Sequence, residues 1–332
     1  MKRDLLNPKR RADKKGKQRI SPKKKRITNV PVETNEEEDL DSYGEPCPPH
    51  PGFLVQFEKA KTISTLFKTV KDLFTHINLV CTPNGITAMP MCASNVSLMA
   101  LNLRPSDQSD MEEGNSDNKK GGRDIIKWYE CECPVTLGID SASLSKLLNI
   151  APANSRLRIY SGLDDPTSIT LEFGAGHHMS KWDLKLINIL DESRVVPEND
   201  KYDGILQIPS AKFNNICKNF DSLKVGTLLL YFQADDGSFR ITTIPEDGSE
   251  NITGGEFIYT DIEENINVIV NDSVSTEVAL SYMFKFSKMY AVSEMMILYV
   301  NDNEPVRLDY GLGEIGTVSF YLAPKIKTVE NF

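Results

Sequence analysis

The sequence predicts an α+β fold made of two similar domains, each combining antiparallel strands with two helices. Three observations lead there. Short apolar and β-branched runs are joined by turn dipeptides at Asn84-Gly85, Asp236-Gly237 and Asn301-Asp302, the signals of antiparallel hairpins. Four amphipathic stretches with helical spacing stand apart among those runs. The order helix, hairpin, polar loop, strand, helix, hairpin, strand then occurs twice, over residues 53–187 and again over 205–322, as an internal duplication would give. A length of 332 residues with 40% hydrophobic content suits two modest cores rather than one.

Residues 1–52 lack periodic apolar positions and pass from a basic stretch into "EEEDLD" and "PCPPHP". Such a segment cannot bury a core, so a disordered tail and linker is expected, with the folded body starting near Phe53. In "TISTLFKTVKDLF", Ile63, Leu66, Phe67, Val70, Leu73 and Phe74 form one helical stripe. "PSDQSDMEEGNSDNKKGGRD" (105–124) is a polar low-complexity insertion, expected as a long hairpin loop outside either core. Asp140 and Ser141 are cap candidates for a short helix that buries Leu144, Leu147 and Leu148. Residues 188–204 connect the domains. Pro209 and Ser210 open a third helix with Phe213, Ile216, Cys217 and Phe220 as its stripe, and "STEVALSYMFKFSKMY" reads as the fourth, with Leu280, Met283 and Phe284 inward. At the end Pro324 stops a strand and removes a ladder donor, predicting an exposed tail beyond an edge aromatic.

Several function classes fall away. No apolar run approaches the roughly 20 residues of a membrane span, and the N-terminus is too basic for a secretory signal, so a soluble, intracellular protein without membrane contact is expected. The six cysteines contain no CxxC pair and face no histidine cluster, which supports neither zinc nor a disulfide framework; no cofactor is expected. Cys131 and Cys133 read as reduced thiols on opposite faces of one strand. "SGLDD" and "FGAGHH" are read as turns, with His177 and His178 in a loop. Without a GxxxxGK[ST] loop or a catalytic constellation, the chain is not expected to be an enzyme.

Charge is more informative. The net charge of −9 hides a division: residues 1–26 hold 13 Lys/Arg against Asp4 and Asp13, so the remainder carries −20. Within that acidic remainder the helices nevertheless bear Lys68, Lys71, Lys146, Lys212, Lys218, Lys285 and Lys288, with Asp72 as the main acid among them. One helix with exterior lysines needs only solvation as its reason. Four of one sign, against the trend of the body and interspersed with Ser, Thr and Asn, suit sequence-independent contact with phosphates.

"FLVQFEKAKTISTLFKTVKDLF", "NGITAMPMCASNVSLMAL", "IPSAKFNNICK" and above all "FYLAPKI" resemble proliferating cell nuclear antigen, the sliding-clamp family. The resemblance covers residues 53–328 in order. It implies the DNA-clamp fold, a homotrimeric ring with helices lining the hole and sheets outside, acting as a polymerase processivity factor that encircles duplex DNA and docks replication or repair proteins. It further implies a loader ATPase that opens the ring, and a client-peptide site at positions matching Met91, Asn95, Val96, Leu98, Val196, Pro197, Pro305, Tyr321, Ala323 and Pro324. Departures are visible. Cys92 and Asn95 stand where the family usually has an aspartate and a histidine, and Arg194 where the connector is usually apolar. Ser64, Thr65, Asn149, Asn215 and Ser281 stand where inner helices tend to be basic, a deficit the basic N-terminal arm would offset. Two other readings stay open at this level, a non-trimerising viral processivity factor and a subunit of a checkpoint-type heterotrimeric clamp. The run Lys23, Lys24, Lys25 and Arg26 after a proline is a nuclear-import candidate, with DNA contact as its alternative. Nuclear localisation, or a viral replication compartment given the divergence, is the corresponding expectation.

Overall fold

The computed structural model describes residues 52–105, 126–152, 154–162, 166–175, 178–190, 201–244, 255–260 and 265–325. The basic run Lys23–Arg26, the 105–124 insertion beyond its first residue, Arg194, Val196, Pro197 and His177 lie outside the described residues.

The duplication is plain in the element order. The first repeat runs β1 (Phe53–Phe57), α1 (Ala60–Val70), β2 (His76–Thr82), β3 (Gly85–Ala88), β4 (Ser97–Leu103), β5 (Ile126–Cys131), β6 (Val135–Asp140), α2 (Ser141–Leu148), β7 (Arg156–Ser161), β8 (Ser168–Ala175) and β9 (His178–Lys185). The second repeats it as β10 (Gly204–Pro209), α3 (Ser210–Ser222), β11 (Thr227–Gln233), β12 (Ser238–Ile244), β13 (Glu256–Tyr259), β14 (Asn267–Val270), β15 (Val274–Ala279), α4 (Leu280–Ser287), β16 (Met295–Val300), β17 (Val306–Gly311) and β18 (Gly316–Leu322). Helix starts match too. The first N–H of α1 goes to the Ser155 carbonyl and that of α3 to Glu294, each just before the strand that leads back beside β1 or β10. Those of α2 and α4 go to Thr75 and Gly226, each just before the strand after the first helix of its repeat. Main-chain carbonyls thus satisfy donors that side-chain caps usually take, and only α2 adds such a cap, Ser143 N–H to Asp140 Oδ2 at 2.8 Å.

All strand pairs are antiparallel. They form a five-stranded sheet β5-β1-β7-β8-β9, a four-stranded sheet β13-β12-β11-β15, and a nine-stranded sheet β14-β10-β16-β17-β18-β4-β3-β2-β6. The nine-stranded sheet crosses the repeats because β18 pairs with β4 over seven residues, from Gly316 with Leu103 to Leu322 with Ser97. Gly85 and Gly316 flank the end of β4 at φ +134° and +147°, where a Cβ would run into the Leu103 and Asn102 carbonyls, so only glycine fits at these approaches. The inner sheet faces and the helix stripes share one apolar core; Phe286 of α4 stacks on Phe320 of β18 with centroids 4.7 Å apart.

The α1 stripe is buried at all six expected positions. Leu144 and Leu148 are buried as expected in α2, and Leu147 is half-buried. The fourth helix is shorter than its sequence suggests. Residues 274–279 alternate as strand β15, where Val278 and Thr276 are buried and Glu277 is not, and the inward positions of α4 are Leu280, Met283 and Phe286 rather than Phe284. A period of two gives way to 3.6 at Ala279 without punctuation. Cys133 lies beyond the end of β5 and is exposed, while the buried Cys131 thiol donates to its carbonyl at 3.3 Å. His178 begins β9 instead of lying in a loop. Lys325, the first residue after Pro324, is anchored by its N–H to the Glu277 carbonyl at 2.7 Å and by Nζ to Thr227 Oγ1, so the tail is held at its root.

Candidate functional site

Two surfaces carry the candidate residues. The first is the outer side of the helical layer. In that layer α1 packs on α2, α3 on α4, and the 3-10 turn Lys288–Ala291 after α4 bridges to α1, which makes the four helices contiguous. Lys68 in the last turn of α1, Lys71 just past it, Lys146 in α2 and Lys218 in α3 are exposed. Lys288 is shared, with Nζ 3.5 Å from Asp72 and 5.7 Å from the Phe284 ring centroid. Lys212 and Lys285 are half-buried, resting 4.9 Å from the Tyr259 ring and 5.6 Å from the Tyr282 ring. Cation–π contact of this kind leaves the charge in place but fixes its position. Lys61 was missed. It is exposed on α1, which begins three residues before the apolar period shows at Ile63. Of the positions where family members tend to be basic, Ser64 is buried, and the half-buried Thr65 spends its hydroxyl proton on the Lys61 carbonyl at 2.9 Å.

The second surface lies where the repeats join. The loop after β3 returns on itself through an isolated pairing of Met91 with Leu98, turning at Asn95 in the left-handed region (φ 57°). The β18 ladder continues past its end, with Ala323 N–H donating to the Val96 carbonyl at 2.9 Å. Pro305 immediately precedes β17, whose first pair joins Val306 to Leu322. Leu98 and Tyr321 face each other across β4 and β18, both 7% exposed, forming a floor, while Met91, Val96, Ala323 and Pro324 are half-buried around it. Eight of the ten client-site positions are therefore brought together, the two others being Val196 and Pro197.

The Cys92 thiol sits at the corner of this loop. Burial pushes its pKa up, but Ser94 Oγ at 3.2 Å, the backbone at Val96 and Ser97, and the Tyr282 hydroxyl outweigh that and leave it below the usual thiol value. Cys217, fully enclosed, is pushed up to about 12 by burial. Beside the floor, Arg307 forks onto Asp309 at 2.8 and 2.7 Å and donates to the Tyr202 hydroxyl at 3.3 Å. Burial opposes its charge, and the Asp309 bonds more than offset it, so the guanidinium stays charged within a neutral pair.

The model of the N-terminal domain of proliferating cell nuclear antigen matches residues 53–112, and that of the C-terminal domain matches residues 196–325. The chain belongs to the proliferating cell nuclear antigen family. It is a DNA sliding clamp. Proliferating cell nuclear antigen of Dictyostelium discoideum is 26% identical over 279 residues, covering 83% of this chain and all of that protein. Proliferating cell nuclear antigen 2 of Drosophila melanogaster is 25% identical over 266 residues, covering 80% and 94%. The crystal structure of the proliferating cell nuclear antigen of Entamoeba histolytica, 23% identical, covers 83% of this chain and all of its own with a TM-score of 0.69, which shows the shared fold. These matches favour neither the non-trimerising factor nor the checkpoint-type subunit, and give no support to a viral origin. Among the described residues no helix is long and apolar enough to cross a membrane.

Proposed function

We propose that this clamp closes as a homotrimeric ring around duplex DNA, serves as a polymerase processivity factor without catalysis of its own, and docks client peptides at the groove formed by Met91, Leu98, Tyr321 and their neighbours. One observation carries the ring. Within the chain, β4, the fourth strand of the first repeat, pairs with β18, the last strand of the second. Their counterparts by element order, β13 and β9, are each, among the described residues, the unpaired edge of a sheet. A second copy can repeat the same junction by laying its β13 along β9, and because the two edges differ, the contact is head-to-tail, the kind from which a cyclic ring is built. Exposed apolar side chains support it, with Met179 and Trp182 on β9 and Ile258 on β13, as do the opposite charges of Lys185 at the end of β9 and Glu256 at the start of β13.

Topology then supplies what affinity need not. A closed ring dissociates only by opening, so lysine–phosphate contacts weak enough to permit sliding suffice. A loader ATPase has to provide the opening. The two repeats are the clamp domains, 53–187 and 205–332 with the C-terminal tail, the lysines of the helical layer face DNA, and Lys23–Arg26 directs import to the nucleus. Light scattering of the purified protein at micromolar concentration tests the ring. A mass three times the single-chain 37.2 kDa is expected, reduced by Trp182→Asp. A mass of one chain for the parent protein rejects the ring.

A further inference from the structure

The strand registers align a row of side chains that starts in the client groove and leaves it. Leu98 pairs with Tyr321, Tyr321 with Arg307, Arg307 with Tyr299, Tyr299 with Ile205, and Ile205 with Ile269, crossing six strands of the nine-stranded sheet on its outer face. The Arg307 guanidinium lies 5.1 Å from the Tyr299 ring and 5.8 Å from the Tyr321 ring, and Tyr202 packs on Tyr299 at 4.6 Å. Ile205, Tyr202 and Tyr299 are half-buried, and Ile269 on the edge strand is 41% exposed.

We infer that this row is a second, apolar docking shelf for the flank of the same client peptide that enters the groove, and that it selects an aliphatic side chain outside the core motif. The inference rests on the client-docking reading and extends it. Continuity is the first argument, since Tyr321 is at once the floor of the groove and one end of the row. Charge is the second. Asp309 neutralises Arg307, so the shelf offers no net charge to an anion, whereas the tyrosine rings and the two isoleucines offer apolar area. The neighbouring row supplies Gln207 and Asn267, paired across β10 and β14, as hydrogen-bonding groups for a peptide main chain. With strands about 4.8 Å apart, Ile205 lies roughly 14 Å and Ile269 roughly 19 Å from Tyr321, a span that an extended peptide at about 3.3 Å per residue covers in about four to six residues. The occupant is therefore a peptide with an aliphatic-x-x-aromatic-aromatic core and one further Leu, Ile or Val about four to six residues from the aromatic pair.

Calorimetric titration of the full chain decides it, using a synthetic core peptide with serine flanks and versions carrying one leucine four, five or six residues before or after the aromatic pair. At least one position should tighten binding about tenfold, the effect of burying one aliphatic side chain. Ile269→Ser and Ile205→Ser should remove that gain and leave the core peptide's affinity unchanged. A core peptide that binds but gains nothing from any leucine overturns the shelf alone, as does a gain that survives both variants. A core peptide that fails to bind overturns the client groove and the shelf with it.

Discussion

Ser94 Oγ and the Tyr282 hydroxyl lie 2.7 Å apart, which ties the loop after β3 in the first repeat to α4 in the second. The same hydroxyl is 3.8 Å from the Cys92 thiol, so one bond network sets both the loop's position and the thiol's acidity. Tyr282→Phe is expected to cost about 1 kcal/mol in urea unfolding, and Ser94→Ala added to it little more, because both remove one hydrogen bond. Tyr282→Phe should also raise the Cys92 pKa. Iodoacetamide labelling of Cys92 as a function of pH reads this as a shift of the profile to higher pH.

Replacing Lys71, Lys146, Lys218 and Lys288 by alanine should leave assembly intact while weakening DNA association and lowering polymerase processivity. Each lost phosphate contact makes the dependence of log affinity on log salt shallower by about 0.9. Measuring the slope for the quadruple variant checks it, and full processivity at moderate salt would show these lysines to be ordinary solvated groups.

Tyr321→Ala combined with Ala323→Asp removes the groove's aromatic floor and places a carboxylate beside the Val96 carbonyl. Binding of a peptide with the aliphatic-x-x-aromatic-aromatic core should be lost in calorimetry. Undiminished binding would put the client site elsewhere.

Asp140 caps α2, and the bonds from Ser143 hold its carboxyl below the ordinary value. A depressed folded-state pKa gives stability that is present above the unfolded value near 3.9 and is lost as pH falls through the lower folded value. Asp140→Ala should therefore lower stability by about 1 kcal/mol at neutral pH. The difference from the parent should shrink as the carboxylate protonates, and denaturant titrations at several pH values follow it. Asp140→Asn, which keeps an acceptor, should lose less.

Fusing residues 1–30 to a fluorescent protein should send it to the nucleus if Lys23–Arg26 acts in import. A signal that stays cytoplasmic rejects that role.

Local pattern carried a large part of the fold. The stripe from Ile63 to Phe74, the Asp140 cap and the Asn84-Gly85 turn are readable because each depends on neighbours within a few residues. The start of the fourth helix defeated the same reasoning, since Val278 belongs to a strand and Leu280, inward as expected, to the helix, with no Gly or Pro between them. In the groove, "FYLAPKI" and "NVSL" named its residues through a family likeness, but that Tyr321 faces Leu98 follows only from register. The partners of Arg307 were hidden for the same reason. Tyr299 reaches it from β16 and Tyr202 from the segment just before β10, and no spacing in the chain encodes a transverse row. Likewise the sequence shows that Lys212 and Lys285 are basic, not that each leans on a ring.

The β4–β18 pairing has a consequence for synthesis. Its two strands are about 220 residues apart in the chain, a separation at which pairing is slow because the intervening loop must be closed first. While the second repeat is still being made, "SLMALNL", an apolar strand of the first, lacks a neighbour on one of its hydrogen-bonding edges. On the ribosome that edge waits for β18 to emerge, and a chain interrupted before Gly316 never covers it. Such a product would offer β4 to any other unfinished copy, so truncated chains are the ones a cell must shield or degrade.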